Sequence, residues 1–458
     1  NKNNQIQSLL RRFFLSLIIM IISVAAIAQK NQSASFSLRL EPLEIDGLPG
    51  LQSFAYATWR DKWLLVGGRI DGLHRRQPWA SFGEAGQNRY FYVVDPVLQQ
   101  AWKASIEQLP VTLQEQLQST NMEFYQVDNK LILAGGYGYS KTADDHITFP
   151  YLVVIKVDEM IHAIINRQPV SNTIMQVKDQ RMAVTGGRFG KVDDTLLLVG
   201  GQRFDGMYNP MGPDHGPGFE QEYTNEIRKF SIKFENDTPV IINYRTLRDS
   251  IHLHRRDYNL VPQVFENGEF GFTAFSGVFQ YDKDLPYTNS VDISGASYKV
   301  NNSFKQRFSH YHSAVLPLYD KGSGTMYSVF FGGIAQYYPD VNGKIISDED
   351  VPFTKTISLI TRNKGKVQES YLPLSMPGYL GAAAEFIFRP GVTLYRDGIA
   401  DFQMIGSGEI EIGYIVGGIN SSDRNIFFSN TGKESKANSS IIKVFITKVY
   451  NHAGPSKK

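Results

Sequence analysis

The chain contains no cysteine in 458 residues. That absence excludes disulfides, a lipid-modified N-terminal cysteine, thiolate nucleophiles and thiolate metal sites. Excess charge of either sign is also lacking, with 47 Lys and Arg against 45 Asp and Glu. With no basic block, nothing points to nucleic acid. The sequence holds no Gly-x-Ser-x-Gly elbow, no phosphate loop and no His-Glu-x-x-His pair, so no familiar nucleophile, nucleotide or zinc signature is available. No cofactor is implied.

Long apolar runs are missing too, except at the start. Lys2, Arg11 and Arg12 precede an uncharged run from Phe13 to Ala28 that ends Ala26-Ile27-Ala28. Charge, apolar stretch and small-x-small make a secretory signal peptide, residues 1–28, with cleavage expected before Gln29. The run falls short of the roughly 20 residues that span a bilayer. The first residue is Asn rather than Met, so further residues are expected before it. Loss of the leader turns a formal +2 into −1. The expectation is an exported bacterial protein, periplasmic, cell-surface or secreted, soluble and monomeric, with one domain over 29–449 and a flexible tail over 450–458.

Within that domain one pattern recurs six times: a short run of large apolar residues ending in two small ones. The pairs are Gly67-Gly68, Gly135-Gly136, Gly200-Gly201, Ser276-Gly277, Gly332-Gly333 and Gly417-Gly418, spaced 56 to 85 residues apart. Before most runs lies another strand-like segment across a polar turn, such as Arg60-Asp61-Lys62, which reads as a hairpin. A third strand follows a long loop, and a fourth often closes in Leu-Pro, as at Leu109-Pro110. Each unit is therefore a four-stranded antiparallel meander. Its second strand is apolar at successive positions and so buried on both faces. Radially stacked sheets give that burial. The prediction is an all-β fold, a six-bladed β-propeller. After Gly417-Gly418 only one strand remains, Ser440 to Val449, while a spare strand, Ser35 to Pro42, precedes the first hairpin. The N-terminal strand is expected to complete blade six and close the ring.

Apolar run, Gly-Gly, Tyr, Trp and Leu-Pro resembles the kelch repeat, best in the first unit with Gly67-Gly68, Tyr92, Trp102 and Leu109-Pro110. The resemblance covers about residues 36 to 449. It departs from the pattern in lacking the later Trp residues, in Ser276-Gly277, and in units longer than the roughly 50-residue norm. Kelch propellers host unrelated functions, so the resemblance implies a fold and not an activity.

In such a meander the loops between strands two and three emerge on the same rim as the blade-to-blade crossings. The excess length is expected in those loops, roughly 69–89, 137–149, 202–223, 278–288, 334–354 and 419–437, which marks that rim as the binding face. They supply Trp79, Phe82, Tyr137, Tyr139, Phe204, Tyr208, Phe219, Tyr281, Tyr287, Tyr337 and Tyr338, flat surfaces suited to sugar rings or peptides. His215 lies in a glycine-hinged segment, Asp214 to Glu220, able to act as a lid. Asp340 to Asp350 is acidic without calcium-loop spacing.

Two crossings are rich in polar groups, His252 to Tyr258 and Gln306 to His312. Each holds a His-x-His pair, and on an extended chain such residues point the same way. Up to four imidazoles gathered there would suit a divalent metal; the other reading is that they bond backbone carbonyls around the channel, and no metal is expected. Arg255, Arg256 and Arg307 could fork onto a carboxylate or phosphate, with Tyr258 and Tyr311 beside them.

The leading expectation is a ligand- or protein-binding module using the long-loop face, with a glycan among the candidate ligands. The alternative is a carbohydrate-active enzyme. Some exported six-bladed kelch proteins isomerise sialic acids, so the resemblance permits an epimerase or mutarotase. His254, His310, His312 and Asp257 would then serve as acid and base, with Arg255 or Arg256 anchoring the sugar carboxylate. Kelch-type copper oxidases need a Tyr–Cys cofactor that this chain cannot form, and sialidase aspartate boxes are absent.

Overall fold

The computed structural model describes residues 35–295 and 297–449. The leader, its cleavage point and the tail lie outside the described residues. Within them, six four-stranded antiparallel sheets follow one another around a central axis. Blade 1 contains Ala55–Trp59, Lys62–Val66, Tyr90–Asp95 and Gln100–Ser105. Blades 2 to 5 span 120–178, 188–248, 259–301 and 315–375. Blade 6 takes Ala384–Phe388, Ile410–Gly417 and Ile441–Lys448, and its outermost strand is Phe36–Leu43 from the other end of the described chain. The strand expected at Ser35 to Pro42 therefore closes the ring, paired antiparallel with the last strand from Phe36↔Lys448 to Leu43↔Ile441.

The uninterrupted apolar second strands have the predicted cause. In blade 1, Leu64 and Val66 enter the core shared with blade 2, where they meet Leu131 and Val153. Trp63 and Leu65 point the other way, into the core shared with blade 6, against Tyr414 and Ile441. Both side-chain rows are thus buried, as a sheet sandwiched between two others requires. The same division recurs around the ring, each pair of neighbouring blades sharing its own apolar core.

The paired small residues dock one blade on the next. Both members lie in the left-handed region in every blade, Gly135 at φ 63° and Gly136 at 91° for example. The Gly136 N–H donates to Val184 O of the following blade entry (2.9 Å), and the equivalents Gly68, Gly201, Gly333 and Gly418 donate to Ser119, Arg255, Leu380 and Leu51. A Cβ on Gly135 would land on that Val184 carbonyl, so glycine answers both the backbone angle and the close approach. The fourth blade manages with Ser276 at φ 56°, whose Oγ donates to Tyr287 O at 2.8 Å.

The distribution of extra chain differs from expectation in two places on the opposite, short-loop face. A helix, Val157–Ile165, joins the last two strands of blade 2 and seats Met160, Ile161 and Ile164 in the blade 1–2 core. In blade 6, the segment between the first two strands folds into a small hairpin, Leu394–Arg396 and Ile399–Asp401. Its second strand pairs in parallel with the inner strand of blade 5, Leu318↔Ala400. Its tip reaches blade 4, with Gly398 facing Pro262 and Arg396 lying over the Phe270 ring. Among the described residues no helix is long and apolar enough to cross a membrane.

Candidate functional site

The channel has a narrow neck where the inner strands begin. Ser53 N–H donates to Ala383 O (3.1 Å), Asn121 to Ser53 (3.1 Å), Asp257 to Gly186 (2.7 Å), His312 to Asp257 (2.9 Å) and Ala383 to His312 (2.8 Å). The remaining link runs from the Thr185 hydroxyl to Asn121 O, 3.2 Å. One residue from each of five blades and the adjacent pair Thr185-Gly186 of blade 3 thus form a closed belt. Ser53, Asn121, Gly186, Asp257 and Ala383 all have φ between 51° and 70°. The free volume is about 10 Å³, room for one water at most.

Beneath the belt an ionic contact crosses the channel. Arg188 of blade 3 reaches Glu385 of blade 6 at 3.4 Å, and His312 Nε2 sits 2.9 Å from the same Glu385 oxygen, at ion-pair distance without hydrogen-bond alignment. Burial alone would raise the Glu385 carboxyl, but His312 and Arg188 hold it below the usual range. Burial and the Arg188 charge lower His312.

Above the belt, loops of non-neighbouring blades meet. His74 from blade 1 packs against Tyr208 from blade 3, with ring centroids 4.8 Å apart, and Phe82 and Phe219 complete the stack. Leu73 packs against Ile334, Phe353, Ala382 and Ile419 of blades 5 and 6. The blade 1 loop therefore lies across the axis as a roof. Burial pushes His74 down to about 4, so it is neutral at neutral pH.

The crossing that precedes blade 4 fans its side chains in different directions. Arg255 turns into the protein, 1 % exposed, donating to the carbonyls of His252 and Ser276 and to Asn289 Oδ1. Tyr258 is buried with its hydroxyl donating to Val199 O, 2.8 Å. Arg256 faces the mouth, donating to the Tyr223 hydroxyl and to Asp257 Oδ2, both 2.9 Å. His254 stacks flat on Tyr223 at 3.6 Å, its Nδ1 2.9 Å from Asn225 Oδ1. Burial, and secondarily Arg256, lower its pKa. His252 instead contacts Asp249 at 2.9 Å.

The four imidazoles do not gather. His310 is fully buried; Nδ1 accepts from the Gln336 N–H and Nε2 faces Gln306 O at 3.1 Å. Those partners define the Nε2–H tautomer and leave neither nitrogen free. His312 points below the belt and His254 above it. Among the described residues no three His, Asp or Glu side chains come together as metal ligands would. What the structure does unite at the mouth is Arg256, Asp257, His254, Tyr208, Tyr223 and Tyr311, the last with a phenol raised by burial and by Asp257. Trp79 (68 % exposed) and His215 stand on the outer surface.

The open concavity on this face lies elsewhere, between blades 4 and 5. A cleft of about 590 Å³ is lined by Tyr281, Tyr287 and Tyr337, by Lys283, Lys305 and Arg307, and by His252, Asn289 and Gln336. The Arg307 backbone N–H donates to Glu369 Oε2 at 2.6 Å, which fixes the crossing and leaves the guanidinium to the cleft. Among the described residues none of the three cations is within ion-pair distance of a carboxylate; Asp282 and Asp284 flank Lys283 but do not line the cleft. Of the groups singled out from sequence, Arg307, His252 and the loop tyrosines Tyr281, Tyr287 and Tyr337 lie here, while the expected acid–base histidines and the other arginines do not. Lys283 and Lys305 were passed over, although Lys305-Gln306-Arg307 is a visible pair of cations at alternate positions.

No protein-family profile and no curated protein sequence matches the chain.

Proposed function

We propose that this chain is an exported, kelch-type propeller that binds a small acidic sugar on its long-loop face, in the cleft between blades 4 and 5. One observation carries the reading: three cations without carboxylate partners share a 590 Å³ concavity with three tyrosines. Unpaired cations favour a carboxylate or phosphate. Tyrosine rings offer flat contact and a polar edge to a sugar, and the volume suits a mono- or disaccharide.

The test is isothermal titration with N-acetylneuraminate and galacturonate, each against its neutral counterpart. Lys305→Ala/Arg307→Ala is expected to weaken the acidic sugar by roughly tenfold to a hundredfold, since each charge-assisted contact contributes about 1.5–3 kcal/mol before compensation. Equal affinity for neutral and acidic sugars, or an unchanged double variant, refutes the proposal.

A second reading, catalysis at the channel mouth, is favoured by neutral His254 lying beside Arg256, a base next to a carboxylate anchor. It requires the roof around His74 to open, because the neck beneath holds no substrate-sized space. Following the anomeric protons of N-acetylneuraminate by NMR in the same titrations decides it. Accelerated interconversion that His254→Ala removes supports the enzyme; an unaccelerated equilibrium leaves the binding module.

A further inference from the structure

The short-loop face carries a concavity that the long-loop site does not use. It opens between blades 3 and 4, has a volume of about 710 Å³, and is lined by Lys229, Arg245 and Arg396 together with Val192, Leu247 and Phe270. The geometry assigns this hollow as a second anion site, for a small organic molecule with one carboxylate or phosphate head and an apolar body.

Lys229 forms the floor. It is 2 % exposed, and its ammonium donates to Gly295 O at 2.8 Å. Of its three donors, one has a partner among the described residues. It occupies that depth because it follows Ile227 on the row facing blade 4, while a register break between Lys229 and Ser231 interrupts the strand just beyond it. Opposite, blade 4 presents the turn glycines Gly268 and Gly295, which leave space where side chains would fill the interface.

Two guanidinium groups stand at the rim. Arg245 is the direct cross-strand partner of Lys229. Arg396 is delivered from blade 6 by the hairpin that crosses the short-loop face, and lies 4.4 Å from the Phe270 ring centroid. Like charges on directly paired strand residues repel, and an ammonium removed from water is costly without a counter-charge. Two carboxylates, Asp193 and Glu269, also line the hollow, but both are exposed. Among the described residues neither comes within ion-pair distance of the three cations. An oxyanion on Lys229 would satisfy its free donors and relieve the repulsion. Val192, Leu247 and Phe270 would cover the apolar part of the same ligand. Burial, then Arg245, lowers the Lys229 ammonium, consistent with a cation short of compensation.

Phenyl phosphate and benzoate are suitable probes, with inorganic phosphate testing the head alone and phenol the body alone. One-to-one binding of phenyl phosphate or benzoate by calorimetry is expected, tighter than for inorganic phosphate or phenol, with a rise in melting temperature; the arm that binds names the head group. Arg245→Gln/Arg396→Gln changes two exposed side chains and should melt like the parent without ligand while losing at least tenfold in affinity. Lys305→Ala/Arg307→Ala, in the distant cleft, should bind the probe as the parent does. Failure of both aromatic anions to bind overturns the assignment. So does full affinity in the Arg245/Arg396 variant, or loss in the Lys305/Arg307 variant alone.

Discussion

A chain beginning at residue 44 is expected to lose its cooperative thermal transition and to elute as aggregate, although it keeps five complete blades. Phe36–Leu43 supplies the outer strand of blade 6 along eight consecutive pairs. Phe36 is buried against Tyr327 and Phe402, with ring centroids 5.5 and 6.0 Å away. Leu43 joins the core between blades 6 and 1. Burying two such side chains contributes about 3–6 kcal/mol, a large part of the 5–15 kcal/mol typical of a whole domain. Arg39 adds a forked contact to Glu409, 2.9 and 2.7 Å, and covers the Phe445 ring. The loss would also be structural. Ile441–Lys448 would become a bare edge strand, which invites pairing with other chains. Without disulfides, the ring has burial and these hydrogen bonds to hold its ends. Thermal melts by circular dichroism, with size-exclusion chromatography, provide the measurement. A truncated chain that stays monomeric and melts within about 2 °C of the intact protein, a shift worth at most about 2 kcal/mol for a chain of this size, would show that closure does not depend on this strand. A peptide of residues 35–49 added in trans should restore part of the transition.

That strand was legible in the sequence because closure is an arithmetic need: a six-fold repeat with three strands in its last unit and one spare at the front. The Gly-Gly pairs were legible for a similar reason, since left-handed geometry and a carbonyl in van der Waals contact leave glycine few substitutes. The belt at the neck was not. Ser53, Asn121, Gly186, Asp257, His312 and Ala383 share no chemistry, because their task is done by backbone groups. The His-x-His pairs misled for a related reason. The alternation that makes residues two apart point together belongs to regular strands, and the crossings are irregular. His252 and His254 accordingly part toward Asp249 and Tyr223, and His310 and His312 toward Gln306 and Glu385. The long-loop site was legible only in Arg307 and its loop tyrosines, and the short-loop site not at all. Lys283 with Arg307, and Lys229 with Arg396, are brought together by different blades, and no local window contains them.

Arg188→Met is expected to destabilise the protein by about 3–5 kcal/mol near pH 8, because it leaves a buried carboxylate without its guanidinium. The side chains of Arg188, Glu385 and His312 are only 19, 14 and 7 % exposed, so water offers little compensation. The loss should shrink as pH falls. In the parent, burial and Arg188 hold His312 neutral. Burial still lowers His312 in the variant, but the substitution deletes the next-largest lowering contribution and leaves Glu385, without its other counter-charge, at 2.9 Å. The prediction is that the folded-state pKa of His312 then rises above its unfolded value of about 6.5. A group with a raised folded pKa adds stability below the unfolded pKa and loses it as pH climbs through the folded one. The imidazolium therefore replaces the guanidinium at pH 5.5 and not at pH 8. Urea unfolding of parent and variant at the two pH values reads this directly, since titrations common to both cancel in the difference. A destabilisation equal at both pH values, or below about 1 kcal/mol at pH 8, the scale of an exposed pair, would mean that the contact across the channel contributes little. Adding His312→Asn to Arg188→Met should deepen the loss at pH 5.5 beyond that of Arg188→Met alone, because only the Glu385 carboxyl itself, raised by burial, then remains to take up a proton.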